Sequence, residues 1–192
     1  MPLNLEVAEN DGEEFYDKLR FNAQGGVWYV KQDGVEKRFP NGFKAVLDMA
    51  AVATGWARFN GTYLDFIADP SLEQPAPMPA LDADDENKWD RSFRVQVYSK
   101  DAFGGVVQFT HTARCVRVAF AELYVQYEGQ AGGGKVPVVE VGGDPVKAGD
   151  YYAPNWKIAK MINRPAALRD ATAPAPVAPA PVAAAPVAPA PV

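Results

Sequence analysis

The chain has 192 residues, with 19 basic and 24 acidic side chains, for a formal net charge of −5. Its single Cys excludes a disulfide-rich secreted scaffold. The acidic balance weighs against a protein that coats duplex DNA by bulk charge, although it leaves room for a local basic groove. The length predicts one domain, residues 1–168, followed by a tail, residues 169–192.

Two β-hairpins are predicted first along the chain. Asp33-Gly34 separates alternating runs at 26–32 and 35–39, which pairs Lys31 with Glu36. Asn60-Gly61 separates a second pair of runs, at 53–59 and 62–68. In this second register one face carries Trp56, Arg58 and Tyr63. Residues 69–91 form a proline-punctuated, acidic loop, and loops of this length are usually functional or mobile.

The second half of the domain alternates strands with one helix. Residues 91–100 form a strand with Phe93, Val95 and Val97 on one face, and residues 104–110 form the next strand. Apolar residues at helical spacing predict a helix over 113–127, capped by Thr112 and ended by glycines. Residues 136–141 and 155–162 are the last strands.

This order of elements predicts a mainly β protein. Three strands, a helix and two closing strands are the order of an OB-fold, a five-stranded barrel with its helix between strands 3 and 4. The N-terminal hairpin is an addition to that barrel. An irregular β-sandwich and another small barrel with one helix are the alternatives.

The tail after the barrel has an unusual composition. Residues 171–192 contain ten Ala, seven Pro, four Val and one Thr. Such a segment favours polyproline II and is expected to be disordered. It is interpreted either as a passive spacer or as a docking peptide. Seven prolines also exclude a membrane-spanning helix.

Aromatic and cationic side chains on predicted strands are the candidate binding residues. Aromatic rings stack on bases and cations contact phosphates when proteins hold single-stranded nucleic acid. The candidates are Trp56, Arg58, Tyr63, Arg94, Tyr98, Lys100, Trp156, Lys157 and Lys160. The alternative is that these aromatics only cover the barrel, and Trp156 shares a strand face with Ile158, which favours a core position.

No catalytic or metal-binding pattern is recognised. His111 and Cys115 are unique in the chain and would need further ligands or an orienting group for zinc binding or nucleophilic catalysis. The acidic run 82–86 lacks the Gly and Glu of a calcium loop, and Gly132-Gly133-Gly134-Lys135 lacks the spacing of a phosphate-binding loop. A protein that is not an enzyme, with no cofactor and no metal, is expected.

Most of residues 13–168 resemble phage- or prophage-encoded single-stranded DNA-binding proteins of the OB-fold type. The stretches that carry this resemblance are 39–46, 54–59, 137–141, 151–158 and 163–165. The resemblance implies sequence-independent binding of single-stranded DNA during phage replication or recombination. It also implies replication or recombination proteins as partners, and the cytoplasm of a bacterial host as the location, without membrane association. A homo-oligomer is compatible with it.

The C-terminus departs from many bacterial proteins of this kind, which end in an acidic, aromatic-tipped peptide that recruits partners. Here the chain ends in Ala-Pro-Val repeats, which puts the usual recruitment in doubt. The alternative function is a non-enzymatic structural or assembly protein of a phage particle, with the tail as a spacer. The acidic net charge favours that alternative.

Overall fold

The computed structural model describes residues 17–32, 34–59, 64–81 and 88–170. The strands in these ranges are β1 (Lys18–Asn22), β2 (Val27–Gln32), β3 (Val35–Arg38), β4 (Gly42–Leu47), β5 (Ala53–Phe59), β6 (Leu64–Ala68), β7 (Asp90–Ser99), β8 (Gly105–His111), β9 (Lys135–Gly142), β10 (Val146–Ala148), β11 (Tyr151–Ala153) and β12 (Trp156–Asn163). The α-helices are α1 (Lys100–Phe103), α2 (Arg114–Glu128) and α3 (Ala166–Asp170), and a 3₁₀ turn spans Met49–Ala51. The Asn60-Gly61 turn, Tyr63, the acidic run and residues 171–192 lie outside the described residues. Residues 169 and 170, which were predicted to begin the tail, belong to α3. No described helix is long and apolar enough to cross a membrane.

Ten strands form one curled, open sheet. Their order is β12-β9-β4-β7-β8-β1-β2-β3, and β5 and β6 extend from the first half of β7. The mainly β class is confirmed, but the predicted closed five-stranded barrel is wrong. The N-terminal strands explain the difference, because β1 pairs in parallel with β8, with Lys18 opposite Gln108. The hairpin therefore extends the sheet at β8 and is not an appendage to a closed barrel.

Both predicted hairpins form over the described residues, but only the first has the predicted pairing. In the second, Phe59 stands opposite Leu64, whereas a two-residue Asn60-Gly61 turn would pair it with Thr62. This shift of two residues leaves the predicted faces unchanged. Lys31 stands opposite Glu36 in the β2–β3 ladder. Trp56 stands opposite Ile67, and Arg58 opposite Asp65, in the β5–β6 ladder. Gly34 has a φ of +80° at the first turn, a backbone conformation that residues with a Cβ adopt only with strain.

The sheet has two different faces. We call the face that carries Phe93, Val95 and Val97 the inner face, and these three side chains are buried. Helix α2 covers the inner face with its own buried residues, and the Phe120 ring stacks on Phe93 with centroids 3.9 Å apart. The helix agrees with its prediction, but Thr112 is not its cap. Ala113 occupies that position and makes no side-chain capping hydrogen bond.

We call the opposite face, which carries Arg94, Gln96 and Tyr98, the outer face. Helix α3 covers part of it, because Leu168 is fully buried with Val46 and Val136. Arg164 donates a hydrogen bond of 2.5 Å to the fully buried Asp48, and this ion pair holds the segment before α3. The other part of the outer face, on β7, β8 and β1, is not covered by α3.

Candidate functional site

The register between β5 and β7 separates the predicted site residues. Trp56 stands opposite Arg91, and Ala53 stands opposite Arg94. Because directly opposed residues share a face, Trp56 and Arg58 belong to the inner face while Arg94 and Tyr98 belong to the outer face. The prediction that they form one surface is wrong. A shift of one residue in pairing moves every side chain to the other face.

Trp56 and Arg58 are engaged within the β5–β6–loop unit, residues 53–59 and 64–81, which we call the arm. The Trp56 indole N–H donates a 2.9 Å hydrogen bond to the Ala76 carbonyl. Arg58 donates to Asp65, and its guanidinium lies 4.7 Å from the centre of the Trp89 ring. Both side chains therefore stabilise the arm.

Asp69 joins the arm to β7. Its side chain accepts two hydrogen bonds from the Arg91 guanidinium, at 2.8 and 2.5 Å. It also accepts hydrogen bonds from the Thr54 hydroxyl and the Ala76 amide. These contacts, the Arg91 hydrogen bonds foremost, hold the pKa of Asp69 well below its usual range, and the same pairing raises the pKa of Arg91. The arm is therefore attached at a carboxylate that stays charged at neutral pH.

Three further predicted residues lie elsewhere. Trp156 stands opposite the buried Val141 and so faces inward, where its ring packs on Trp28 with centroids 5.9 Å apart. Its indole N–H donates to a helix α2 carbonyl, that of Ala119. Tyr98 packs against the cluster under α3. Trp156 therefore takes the core position that was the alternative to its binding role. The placement of Lys100 on the strand face is wrong, because Lys100 begins α1 and does not continue β7.

Lys157 and Lys160 are exposed on the outer face of β12. A bulge between Ile158 and Lys160 keeps both lysines on this face, since they stand opposite Glu140 and Val138. Lys44 forms a 2.6 Å ion pair with Glu140 and lowers the pKa of that carboxyl. This pair of lysines is separated from Arg94 by strands β9 and β4.

A groove of about 250 Å³ lies on the uncovered outer face. Strands β7 and β8 form its floor, β1 and β2 form one wall, and the arm forms the other. The groove residues that carry cations, aromatic rings or hydrogen-bonding groups include Lys18, Arg20, Tyr29, Phe59, Arg94, Gln108 and Thr110. None of its lining residues is acidic. Cations and rings therefore line the same concave surface.

The sheet positions these groove side chains. Arg20 stands opposite Tyr29, and Arg94 stands opposite Thr110. The Arg94 guanidinium lies 4.2 Å from the centre of the Phe66 ring, a contact between the floor and the arm. Phe59 is 50% exposed at the end of β5. The groove thus offers a ring from each wall and a cation from its floor.

His111 and Cys115 do not form a catalytic pair. Burial lowers the pKa of His111, and its Nε2 is hydrogen-bonded to the Phe21 carbonyl at 3.0 Å. Its Nδ1 accepts the Ala113 amide hydrogen, so the ring is neutral with its proton on Nε2. The Cys115 thiol donates to the Tyr152 carbonyl. Over the described ranges no three His, Cys, Asp or Glu side chains come together as metal ligands.

Of the groove cations and rings to which the proposed contacts belong, sequence reasoning found only Arg94 and missed Lys18, Arg20, Tyr29 and Phe59. A signal was present in the Lys-Leu-Arg-Phe-Asn run of β1, where cations alternate with apolar residues as on a half-buried strand. This segment reaches the groove by pairing with a strand about ninety residues away in sequence, and no local pattern predicts that pairing.

The chain matches no protein-family model, and neither a curated protein nor a solved structure is significantly similar to it. Its function is therefore inferred from the residues of the groove.

Proposed function

We propose that this protein binds single-stranded DNA without sequence preference, in the groove on the outer face of β7, β8 and β1. The observation that carries the proposal is the composition of the groove, in which three cations and two accessible aromatic rings line one concave surface without an acidic side chain. A role in phage DNA replication or recombination is part of this proposal, and it rests on the sequence resemblance.

The groove chemistry suits an unpaired strand. Lys18, Arg20 and Arg94 contact phosphates, and Tyr29 and Phe59 stack on bases, which is the combination that holds single strands. Stacking tolerates every base because each base has a π-face, so little sequence preference is expected. A net charge of −5 restricts favourable contact to this surface, since the protein as a whole repels a polyanion.

The position of the groove also supports the proposal. Strands β4 and β5 form a bent first strand that pairs with β7, and β8, α2, β9 and β12 follow in the order expected of an OB-fold. OB-folds bind oligonucleotides on the face of strands 2 and 3, beside the loop that joins strands 1 and 2. In this correspondence strands 2 and 3 are β7 and β8, and the part of the arm after β5, residues 64–81, corresponds to that loop. The sheet remains open, so the correspondence concerns strand order and not barrel closure.

Fluorescence anisotropy of a labelled oligo-dT strand tests the proposal. The Lys18→Glu/Arg20→Glu variant reverses two exposed groove charges, and Lys157→Glu/Lys160→Glu makes the same change in net charge on β12. We expect the groove variant to lose at least about tenfold in affinity and the β12 variant to lose much less, because phosphate contacts act locally. Equal losses would refute the groove as the site.

The alternative, a structural or assembly protein, predicts a different result for the wild type. It predicts a discrete oligomer in light scattering without DNA, and no anisotropy change with oligo-dT at low salt. That pair of results would exclude the proposed function itself.

A further inference from the structure

A second concave surface lies on the opposite side of the sheet. This surface, which we call the helix groove, is a cavity of about 730 Å³ between α2 and the β10–β11 hairpin. Its apolar lining includes Ala113, Val118, Ala119, Ala148 and Tyr151, and its charged members are Arg114 and Glu122. Nothing in the proposed DNA contact uses it.

The helix groove is preformed because both of its walls are fixed. Helix α2 is anchored by its buried residues on the inner face of the sheet. The hairpin is anchored at Tyr152, whose carbonyl accepts from the Cys115 thiol at 3.3 Å and whose amide donates to the Ala23 carbonyl at 2.7 Å. The groove nevertheless leaves Val118 and Tyr151 half exposed.

We propose that the helix groove docks a polyproline II peptide and that its occupant is this chain's own Ala-Pro-Val tail, residues 171–192. Polyproline II ligands bind in apolar grooves beside aromatic side chains, since they enter already extended and lose little conformational entropy. The tail has no charged side chain, and except for Thr172 its residues are Ala, Pro and Val. Alanines on both walls leave width for prolyl rings, and Tyr151 supplies the aromatic surface.

The tail is long enough to reach the helix groove. It begins after α3, which lies on the outer face, whereas the groove lies on the inner face. Twenty-two residues of polyproline II span about 68 Å, at about 3.1 Å per residue. A domain of this size has a radius of gyration of about 15 Å, so the tail can pass around the domain. The unit Ala-Pro-Ala-Pro-Val occurs at 173–177, 178–182 and 188–192, which offers three equivalent docking segments.

Cys115 provides the test, because this only cysteine of the chain lines the helix groove. The rate of alkylation of its thiol by iodoacetamide is compared between the wild type and a full-length variant whose residues 173–192 are Gly-Ser repeats. A tethered peptide has a millimolar effective concentration, so a millimolar intrinsic dissociation constant predicts a groove about half occupied and alkylation about twofold faster in the Gly-Ser variant. Equal rates would overturn the proposal.

Two substitutions test whether protection of Cys115 depends on the helix groove, and dilution tests whether docking is intramolecular. In the Val118→Asp background the ratio of the two rates should fall to about one, because a charge desolvated beneath an apolar peptide opposes docking. In the Val35→Asp background, where the changed valine is also exposed but lies on β3 outside the helix groove, the twofold ratio should persist. Thermal unfolding verifies that each variant is folded. Dilution should leave the ratio unchanged. A ratio that falls on dilution would show docking into a second copy and overturn intramolecular docking.

Discussion

Arg91 stands opposite Trp56 in the ladder between β5 and β7, with its guanidinium carbon 5.1 Å from the centre of the Trp56 ring. The same guanidinium donates two hydrogen bonds to Asp69. One side chain thus joins β7 both to β5 and to the loop that follows β6. Because Phe59 extends from the arm into the groove, this contact sets the position of one groove wall relative to its floor.

Replacing Asp69 with Asn should destabilise the fold. The Asp69 side chain is 2% exposed, so the substitution leaves Arg91 facing an uncharged amide in a largely buried setting. We expect the free energy of unfolding in urea to fall by about 1–3 kcal/mol. Asp65→Asn is the control, since the Asp65–Arg58 pair is more exposed and should cost less than about 1 kcal/mol. Equal losses from the two variants would contradict the role of Asp69.

Acid should remove the difference in the free energy of unfolding between the wild type and Asp69→Asn. The folded-state pKa of Asp69 lies well below its usual value of 3.8. A carboxyl group whose pKa is lowered by folding stabilises the fold at pH values above its unfolded-state pKa. This stabilisation is lost as the pH falls from the unfolded-state pKa to the folded-state pKa. Urea unfolding at pH 7 and at pH values below 3.8 should show the two stabilities converging. A constant difference would show that the charge of Asp69 does not contribute.

His111 should make stability depend on pH in a separate, higher range. Burial lowers its folded-state pKa below 6.5, so the unfolded chain takes up a proton at a higher pH than the fold does. The free energy of unfolding is therefore unaffected by this group above pH 6.5, and it declines as the pH falls from 6.5 to the folded-state pKa of His111. His111→Gln should remove this slope, whatever its effect at pH 7. Asp69→Asn is expected to retain the slope, because Asp69 titrates in a much more acidic range.

Phe59→Ala should weaken binding of single-stranded DNA with little effect on folding. The ring is half exposed and faces the groove, and one base stacked on an aromatic ring contributes about 1–3 kcal/mol. This range corresponds to a loss of about 5- to 150-fold in affinity. Ile67→Ala is the control, because Ile67 is similarly exposed on the opposite face of the arm. Equal affinities of the two variants for oligo-dT would remove Phe59 from the site.

Salt should weaken binding with a slope set by the three groove cations. Neutralising three phosphates of a single strand predicts that log K falls with log salt concentration with a slope of about −2. Arg20→Gln should make the slope shallower by about 0.7, because one phosphate contact is lost. Lys160→Gln should leave the slope unchanged. Anisotropy titrations across a range of salt concentrations measure these slopes, and an unchanged slope in Arg20→Gln would place the phosphates elsewhere.

Local sequence patterns predicted most individual elements. Alternation of Phe93, Val95 and Val97 predicted β7, and the two turn dipeptides predicted both hairpins. The register of the first hairpin and the faces of the second were predicted correctly, whereas the pairing in the second is shifted by two residues. Helical spacing predicted α2 to within one residue at each end. These features are predictable because the period of the backbone and the chemistry of a turn act over a few residues.

The composition of the candidate site depended on contacts that are distant in sequence. The residue types were recognised, but Trp56 faces Arg91 and not Arg94, and Trp156 packs inside. The pairing of β5 with β7 crosses a long connection, and one residue of shift reverses every face. The parallel pairing of β1 with β8 likewise brings Lys18 and Arg20 to the groove from the other end of the domain. Period and turn chemistry are local and can be read from the chain, whereas register between distant strands follows from burying one common core, which only the folded structure defines.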